Sequence, residues 1–115
     1  MKIYQYPKCT TCKKALKYLD DHNKKYENIN IKENNPNKKE LKEYIKTSGK
    51  EINKFFNTSG LKYKELNLKE KLKTMSDEEK LDLLASDGMI VKRPILVNDN
   101  TVLVGFKEEE WAKIL

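Results

Sequence analysis

The sequence lacks any long apolar run. Nothing in it approaches the roughly 18–20 consecutive apolar residues that a membrane-spanning helix requires. The opening Met1-Lys2-Ile3-Tyr4-Gln5-Tyr6 has no apolar signal-peptide core. A soluble, cytoplasmic chain is the expectation. Histidine occurs once, as His22, and cysteine twice, as Cys9 and Cys12. A zinc site needs about four such ligands, so metal binding is not expected. There are only four glycines and no glycine-rich loop to cradle phosphates, so nothing supports nucleotide binding. Arginine is almost missing: the 24 basic residues are 23 lysines and Arg93. A net charge of +6 invites a nucleic-acid reading. Base readers and phosphate clamps, however, favour the forked guanidinium, and the lysines are mixed along the chain with 18 acids. Direct nucleic-acid binding is therefore not expected, and the charge reads as a solvated lysine surface.

What is present suits one domain spanning residues 1–115 and a monomer. At 115 residues, 37% hydrophobic and 37% charged, the chain is polar for a globular domain but not apolar-poor enough to be disordered. A chain of this size buries about two-thirds of its unfolded surface around a single core.

Residues 1–6 read as a short strand, broken by Pro7-Lys8-Cys9-Thr10-Thr11-Cys12. Apolar residues at 12, 15, 16 and 19 then give the i, i+3, i+4, i+7 spacing of an amphipathic helix starting near the first cysteine. Tyr26 to Ile31 reads as a second strand, so the opening is a βαβ unit with a parallel pair expected. Asn37 with Glu40, and Ser76 with Glu79, have the spacing of helix-starting capping boxes. The first helix carries Leu41, Tyr44 and Ile45 and stops at Gly49; the second carries Leu81, Leu84 and Ala85 inward and ends at Gly88. Asn57-Thr58-Ser59-Gly60 is a turn, and Leu61 to Leu72 reads as one short helix between them. Phe55-Phe56 is core. Ile95-Leu96-Val97 and Val102-Leu103-Val104 flank a turn-forming Asn98-Asp99-Asn100-Thr101, a strong hairpin signal. Lys107 to Leu115 is a last helix with Trp111, Ile114 and Leu115 apolar. The order β-α-β, helices, β-β-α predicts an α/β class with a thioredoxin-like mixed sheet and an inserted helical subdomain at roughly 36–86.

The only cysteines form Cys-Thr-Thr-Cys at the start of a helix. A disulfide there closes a very small loop and stabilises little, because loop entropy scales with loop length. Two ordinary half-buried thiols are one reading. A redox pair is the more specific one, since C-x-x-C leading from a strand into a helix is its signature. The positive end of the helix dipole stabilises a thiolate at Cys9, and Lys8, Lys13 and Lys14 add positive charge nearby. Cys12, one turn further on, is placed to attack a mixed disulfide at Cys9. His22 lies at the far end of the same helix, about 15–20 Å away at ~1.5 Å per residue, too far to serve as a base. It suits the helix C-terminus instead. Arg93, alone among lysines and just before Pro94, suggests a need for guanidinium geometry; an incidental surface arginine is the alternative. The acids Glu108-Glu109-Glu110 sit in a first helical turn, where negative charge is favoured.

Three segments together resemble the arsenate reductase-like (ArsC/Spx) family. They are Tyr6-Pro7-Lys8-Cys9-Thr10-Thr11-Cys12-Lys13-Lys14-Ala15, the stretch Phe55 to Leu66, and Asp87 to Ile95 followed by Val104-Gly105-Phe106. The resemblance implies a cis peptide at Pro94, facing the active cysteine, and an anion site towards which Arg93 points. In glutaredoxin-coupled arsenate reductases the matching first cysteine attacks arsenate, and glutathione and glutaredoxin complete the reduction. Those enzymes bind the oxyanion with three arginines. Arg93 matches one, while the others fall near Asn57 and Gly105, leaving Lys54 or Lys62 as partial substitutes. Spx-like regulators use C-x-x-C as a redox switch and bind the C-terminal domain of the RNA polymerase α subunit. They carry an arginine-containing segment where this chain has Asn57-Thr58-Ser59-Gly60. Two expectations follow. One is a thiol–disulfide oxidoreductase with no bound cofactor, supplied with electrons by glutathione, glutaredoxin or thioredoxin. In it Cys9 attacks, Cys12 resolves, Arg93 orients an anion, and Lys8, Thr10 and Thr11 add to the anion cradle. The other is a redox-sensing partner of RNA polymerase.

Overall fold

The computed structural model describes residues 1–115. Strand β1 (Lys2–Gln5), helix α1 (Thr10–Asp21) and strand β2 (Glu27–Asn30) come first. Helices α2 (Lys38–Ser48), α3 (Leu61–Glu65), α4 (Leu68–Lys71) and α5 (Asp77–Ser86) follow, with a 3-10 turn over Ile52–Phe55. Strands β3 (Ile95–Asn98) and β4 (Thr101–Val104) and helix α6 (Glu108–Ile114) end the chain. The sheet order is β2-β1-β3-β4, with β1 parallel to β2 and the other pairs antiparallel. This is the mixed α/β order expected from the sequence.

Alternation along the strands decides what packs where, because successive side chains point to opposite faces. Ile3, Leu96 and Leu103, matched across the sheet, join Ala15, Tyr18 and Leu19 of α1 and Trp111 of α6 in one buried cluster. Tyr4, Ile95, Val102 and Val104 face the other way, into a larger core with Leu41, Tyr44, Phe55, Phe56 and Leu84. The sheet is therefore covered on both sides, by α1 and α6 on one and by the helices between β2 and β3 on the other. Each such side chain, once fully buried, contributes about 1.5–3 kcal/mol.

Local signals explain most of the element ends. Asn37 and Ser76 each accept the backbone N–H of the residue three positions on, and Glu40 and Glu79 reach back to cap them. Gly49 ends α2 in the left-handed region, φ +71°, where a side chain is costly. Asp99 and Asn100 make the two-residue turn of the β3–β4 hairpin, with Asp99 at φ +50°. Two expectations need correction. Leu61 to Leu72 is two short helices, broken at Asn67, whose φ of +53° is not helical. Helix α5 stops at Ser86, before Gly88. Gly88 is needed for space, because a Cβ there would collide with the backbone carbonyl of Ile31. In α6 Trp111 is buried while Ile114 is 44% exposed. No helix is long and apolar enough to cross a membrane.

Candidate thiol site

Helix α1 begins immediately after a tight turn in which Cys9 N–H donates to the Tyr6 carbonyl at 3.0 Å. Cys9 is the N-cap, in extended backbone, and its Sγ accepts the Cys12 N–H at 3.2 Å. Its own carbonyl accepts the Lys13 N–H at 3.1 Å, the first bond of the helix. The cap position is normally filled by an oxygen-bearing side chain. Here sulfur takes it, so a thiolate at Cys9 receives an N–H donor and the positive end of the helix dipole together. No acidic residue stands in the first turn to oppose it.

Cys9 is half-buried, whereas Cys12 is fully buried. Burial pushes the Cys12 thiol up to about 12, and the hydrogen bond and charge of Cys9 add to the effect. The Tyr6 backbone and Arg93 pull weakly the other way. Cys12 therefore keeps its proton at neutral pH. It becomes easier to ionise once Cys9 is tied up in a disulfide and its charge is gone. The two thiols are free and unbridged.

A cavity of about 740 Å³ opens over Cys9. Thr11 and Arg93 share its lining, as do Asn57 and Gly105. The Arg93–Pro94 peptide is cis. The Arg93 guanidinium lies 5.3 Å from the Tyr6 ring centre. Its Nη1 donates to the Met89 and Val91 carbonyls at 3.4 and 3.3 Å, and its Nε is buried without a partner. The held guanidinium thus keeps one unspent, desolvated donor, the arrangement in which a charge-assisted bond to an anion is strong. Thr10 and Lys8 are exposed and do not line the cavity. Lys62 lines it, and Lys54 lies in a neighbouring cavity instead.

One cation was not anticipated. Lys92 lines the Cys9 cavity, and its aliphatic end crosses Gly105 so closely that a Cβ there would stand 2.9 Å from its Cε and 3.6 Å from its Nζ. Gly105 also has φ +75°. A side chain at 105 is thus strained by the backbone conformation and must displace the end of Lys92, which brings an ammonium to that place from the segment just before β3. The signal in the sequence was slight: a second cation beside Arg93. Lys107, Met89 and Phe106 complete this side of the cavity. His22 caps the far end of α1, its Nδ1 2.8 Å from the Tyr18 carbonyl and its ring stacked on Tyr18, with no part in the site.

The ArsC family model matches residues 4–114. The chain is 54% identical to the uncharacterized protein YusI of Bacillus subtilis (strain 168), over 96% of this chain and 94% of that one. It is 29% identical to the regulatory protein MgsR of the same strain, over 97% and 87%. Among solved structures, an ArsC family related protein from Bacteroides fragilis superposes with a TM-score of 0.96 at 52% identity, covering 99% of this chain and 96% of that one. An arsenate reductase from Vibrio cholerae superposes with a TM-score of 0.86 at 28% identity, covering 100% and 98%. The fold is the thioredoxin-like one these structures share.

Proposed function

The chain belongs to the ArsC family, and from that premise we propose that it is a thiol–disulfide oxidoreductase in which Cys9 is the nucleophile and Cys12 the resolving thiol. The observation that carries this reading is the stacked pair at the start of α1. Cys9 faces a cavity with its Sγ on the Cys12 N–H, and Cys12 lies fully buried one turn behind. The Cys9 thiolate attacks one sulfur of a disulfide, forms a mixed disulfide and releases the other sulfur as a thiolate. Cys12 then loses its proton, attacks Cys9 Sγ, and releases the second thiolate. The substrate gains two electrons and the chain is left as the Cys9–Cys12 disulfide. A thiol donor such as glutathione, glutaredoxin or thioredoxin restores the dithiol. Arg93, whose side chain lines the cavity, holds the carboxylate or other anion of the incoming molecule, with Thr11 beside it and the exposed Lys8 and Thr10 at the approach.

Arsenate is the weaker substrate on this geometry. One guanidinium and mobile ammonium groups replace a set of bidentate clamps, which are what a tetrahedral oxyanion and its transition state reward. Replacing Cys9 by serine is expected to abolish disulfide exchange. Replacing Cys12 by serine is expected to trap a mixed disulfide on Cys9, seen as an adduct by intact mass. A reduction potential for the pair between about −180 and −270 mV, the span of known exchange catalysts, supports the reading. Normal turnover by Cys12→Ser removes the resolving role.

A second reading is favoured by the likeness to MgsR, a protein named as regulatory. Here the same Cys9–Cys12 pair would switch binding to the C-terminal domain of the RNA polymerase α subunit. A pull-down with that domain, oxidised against reduced, decides it; absence of binding in both states ends it.

A further inference from the structure

Positive and negative charge, mixed along the chain, are not balanced evenly in space. A second cavity, about 500 Å³, lies in the wall formed by α4 and the 3-10 turn and is lined by Lys54, Lys69, Lys73 and Lys92 against one carboxylate, Glu51. The Cys9 cavity is lined by Lys62, Lys92, Arg93 and Lys107 against Glu65 alone. Lys92 stands in the wall of both, so the two adjoin. Together their walls are 24 of the 115 residues, yet they hold seven cations and two carboxylates, a net +5 out of the chain's +6. The remaining residues are close to neutral. Of these cations only Lys73 has a side-chain ion pair, at 3.3 Å to Glu70. Beside Cys9 the surface is also apolar: Leu61 is 76% exposed, with Met89 and Phe106 next to it.

We propose that the two cavities form one docking cleft for an acidic peptide segment flanking a cysteine of a protein substrate. The proposal rests on the thiol-exchange reading for its chemistry and on charge complementarity for its occupant. Cys9 at one end exchanges with the sulfur of a substrate disulfide. Leu61, Met89 and Phe106 receive the side chains next to that sulfur. A chain continuing past Lys92 meets Lys54, Lys69 and Lys73, which attract carboxylates at long range and raise the rate of encounter. A nucleic acid gives Cys9 nothing to react with, and a wall of lysines with one arginine lacks the bidentate donors that phosphate clamps use. The reaction is the exchange already described. The peptide's disulfide is reduced to two thiols as Cys9 and Cys12 are oxidised to theirs, and a dithiol donor regenerates the pair.

Binding and chemistry are separable in the test. Two fluorescein-labelled peptides carry serine in place of the central cysteine, one with Asp and Glu flanks and one with neutral flanks. Anisotropy with the reduced full-length chain at low salt is expected to show the acidic peptide binding at least tenfold more tightly, an advantage erased as salt shortens the screening length. The triple variant K54E/K69E/K73E is expected to lose that advantage. K25E/K39E/K46E makes the same change of charge at exposed positions outside both cavities and is expected to bind within about twofold of wild type if the effect is local rather than global. Thermal unfolding of both variants confirms that they are folded. Equal binding of the two peptides, or equal losses in the two triple variants, overturns the cleft. A single-stranded oligonucleotide of matching charge that binds as tightly as the acidic peptide overturns the chosen occupant. Cysteine-bearing versions, supplied as mixed disulfides with a chromophoric thiol, then read exchange. Docking of the acidic serine peptide without exchange of its disulfide partner upholds the cleft and removes the Cys9 chemistry.

Discussion

The two faces of the sheet are built for different tasks. On the α1–α6 face the buried cluster is small, and at its edge Tyr18, Phe106 and Trp111 meet edge to face, with Phe106 and Trp111 4.9 Å apart. Trp111 is fully buried, and its indole N–H donates to the Gly105 carbonyl at 3.2 Å. That bond anchors the Gly105–Phe106 wall of the Cys9 cavity, while Ala15 and Leu19 hold α1, and with it Cys9, against the sheet. On the opposite face the core is larger, with Tyr4, Tyr44, Phe55 and Phe56 among its aliphatic side chains, and it is roofed by short helices whose outer surfaces carry lysines of the second cavity. Packing on the first face sets the position of a reactive sulfur. Packing on the second supports a charged surface. Precision is needed only where a bond is made.

The largest expected effects test that division. Trp111→Ala is expected to cost about 3–5 kcal/mol, measured by urea denaturation, and to change the native-state alkylation rate of Cys9 because the cavity wall loses its anchor. Leu84→Ala, fully buried on the other face, is expected to cost about 2–5 kcal/mol with that alkylation rate unchanged. Equal changes in alkylation for the two variants would mean that the faces are not separable. A smaller effect comes from Cys12. Its thiol is raised from an ordinary 9.0 to about 12, mainly by burial, so the native state keeps a proton that the unfolded chain gives up. The stability tied to that proton is fully present below pH 9 and is lost as pH rises from about 9 towards 12, by roughly 1 kcal/mol per pH unit. Tyr4, also raised by burial, adds a loss of the same sign from about pH 10 upwards. Denaturation of the reduced chain at about pH 8 and 10, with and without Cys12→Ser, isolates the cysteine; an unchanged pH dependence in the variant counts against it. The smallest effect is expected at a cap. Ser76→Ala is expected to cost about 1 kcal/mol, read as a shift in urea midpoint, without altering Cys9 reactivity.

Much of this division was legible in the residues. The turn-forming Asn98-Asp99-Asn100-Thr101 between two apolar runs placed Ile95, Leu96 and Val97 in a hairpin strand, and the capping boxes at Asn37 and Ser76 marked helix starts to the residue, because both signals are local. Leu61 to Leu72 failed for the converse reason. Its leucines suggest one helix, but Asn67 adopts a left-handed backbone, and Leu68 and Leu72 beyond it are buried in the larger core. Gly88 was read as a helix stop when its requirement is set by Ile31, a residue far away in sequence.

The candidate site divides in the same way. Cys9, Cys12 and the helix that begins between them are a short-range matter, and residue types and spacing alone determined that a sulfur would sit at a helix N-terminus with a second sulfur one turn on. Arg93 stood out by composition. Which cations share a cavity with Cys9 was decided by the tertiary structure: Lys62 and Lys92 are there, Lys54 and Lys8 are not. So was the concentration of charge. Along the chain the lysines alternate with acids and no basic run appears, but the folded chain gathers Lys54, Lys69, Lys73 and Lys92 from three separate segments around one cavity. Electrostatic attraction depends on distance in space, and sequence spacing reports that distance only within a helix or a strand.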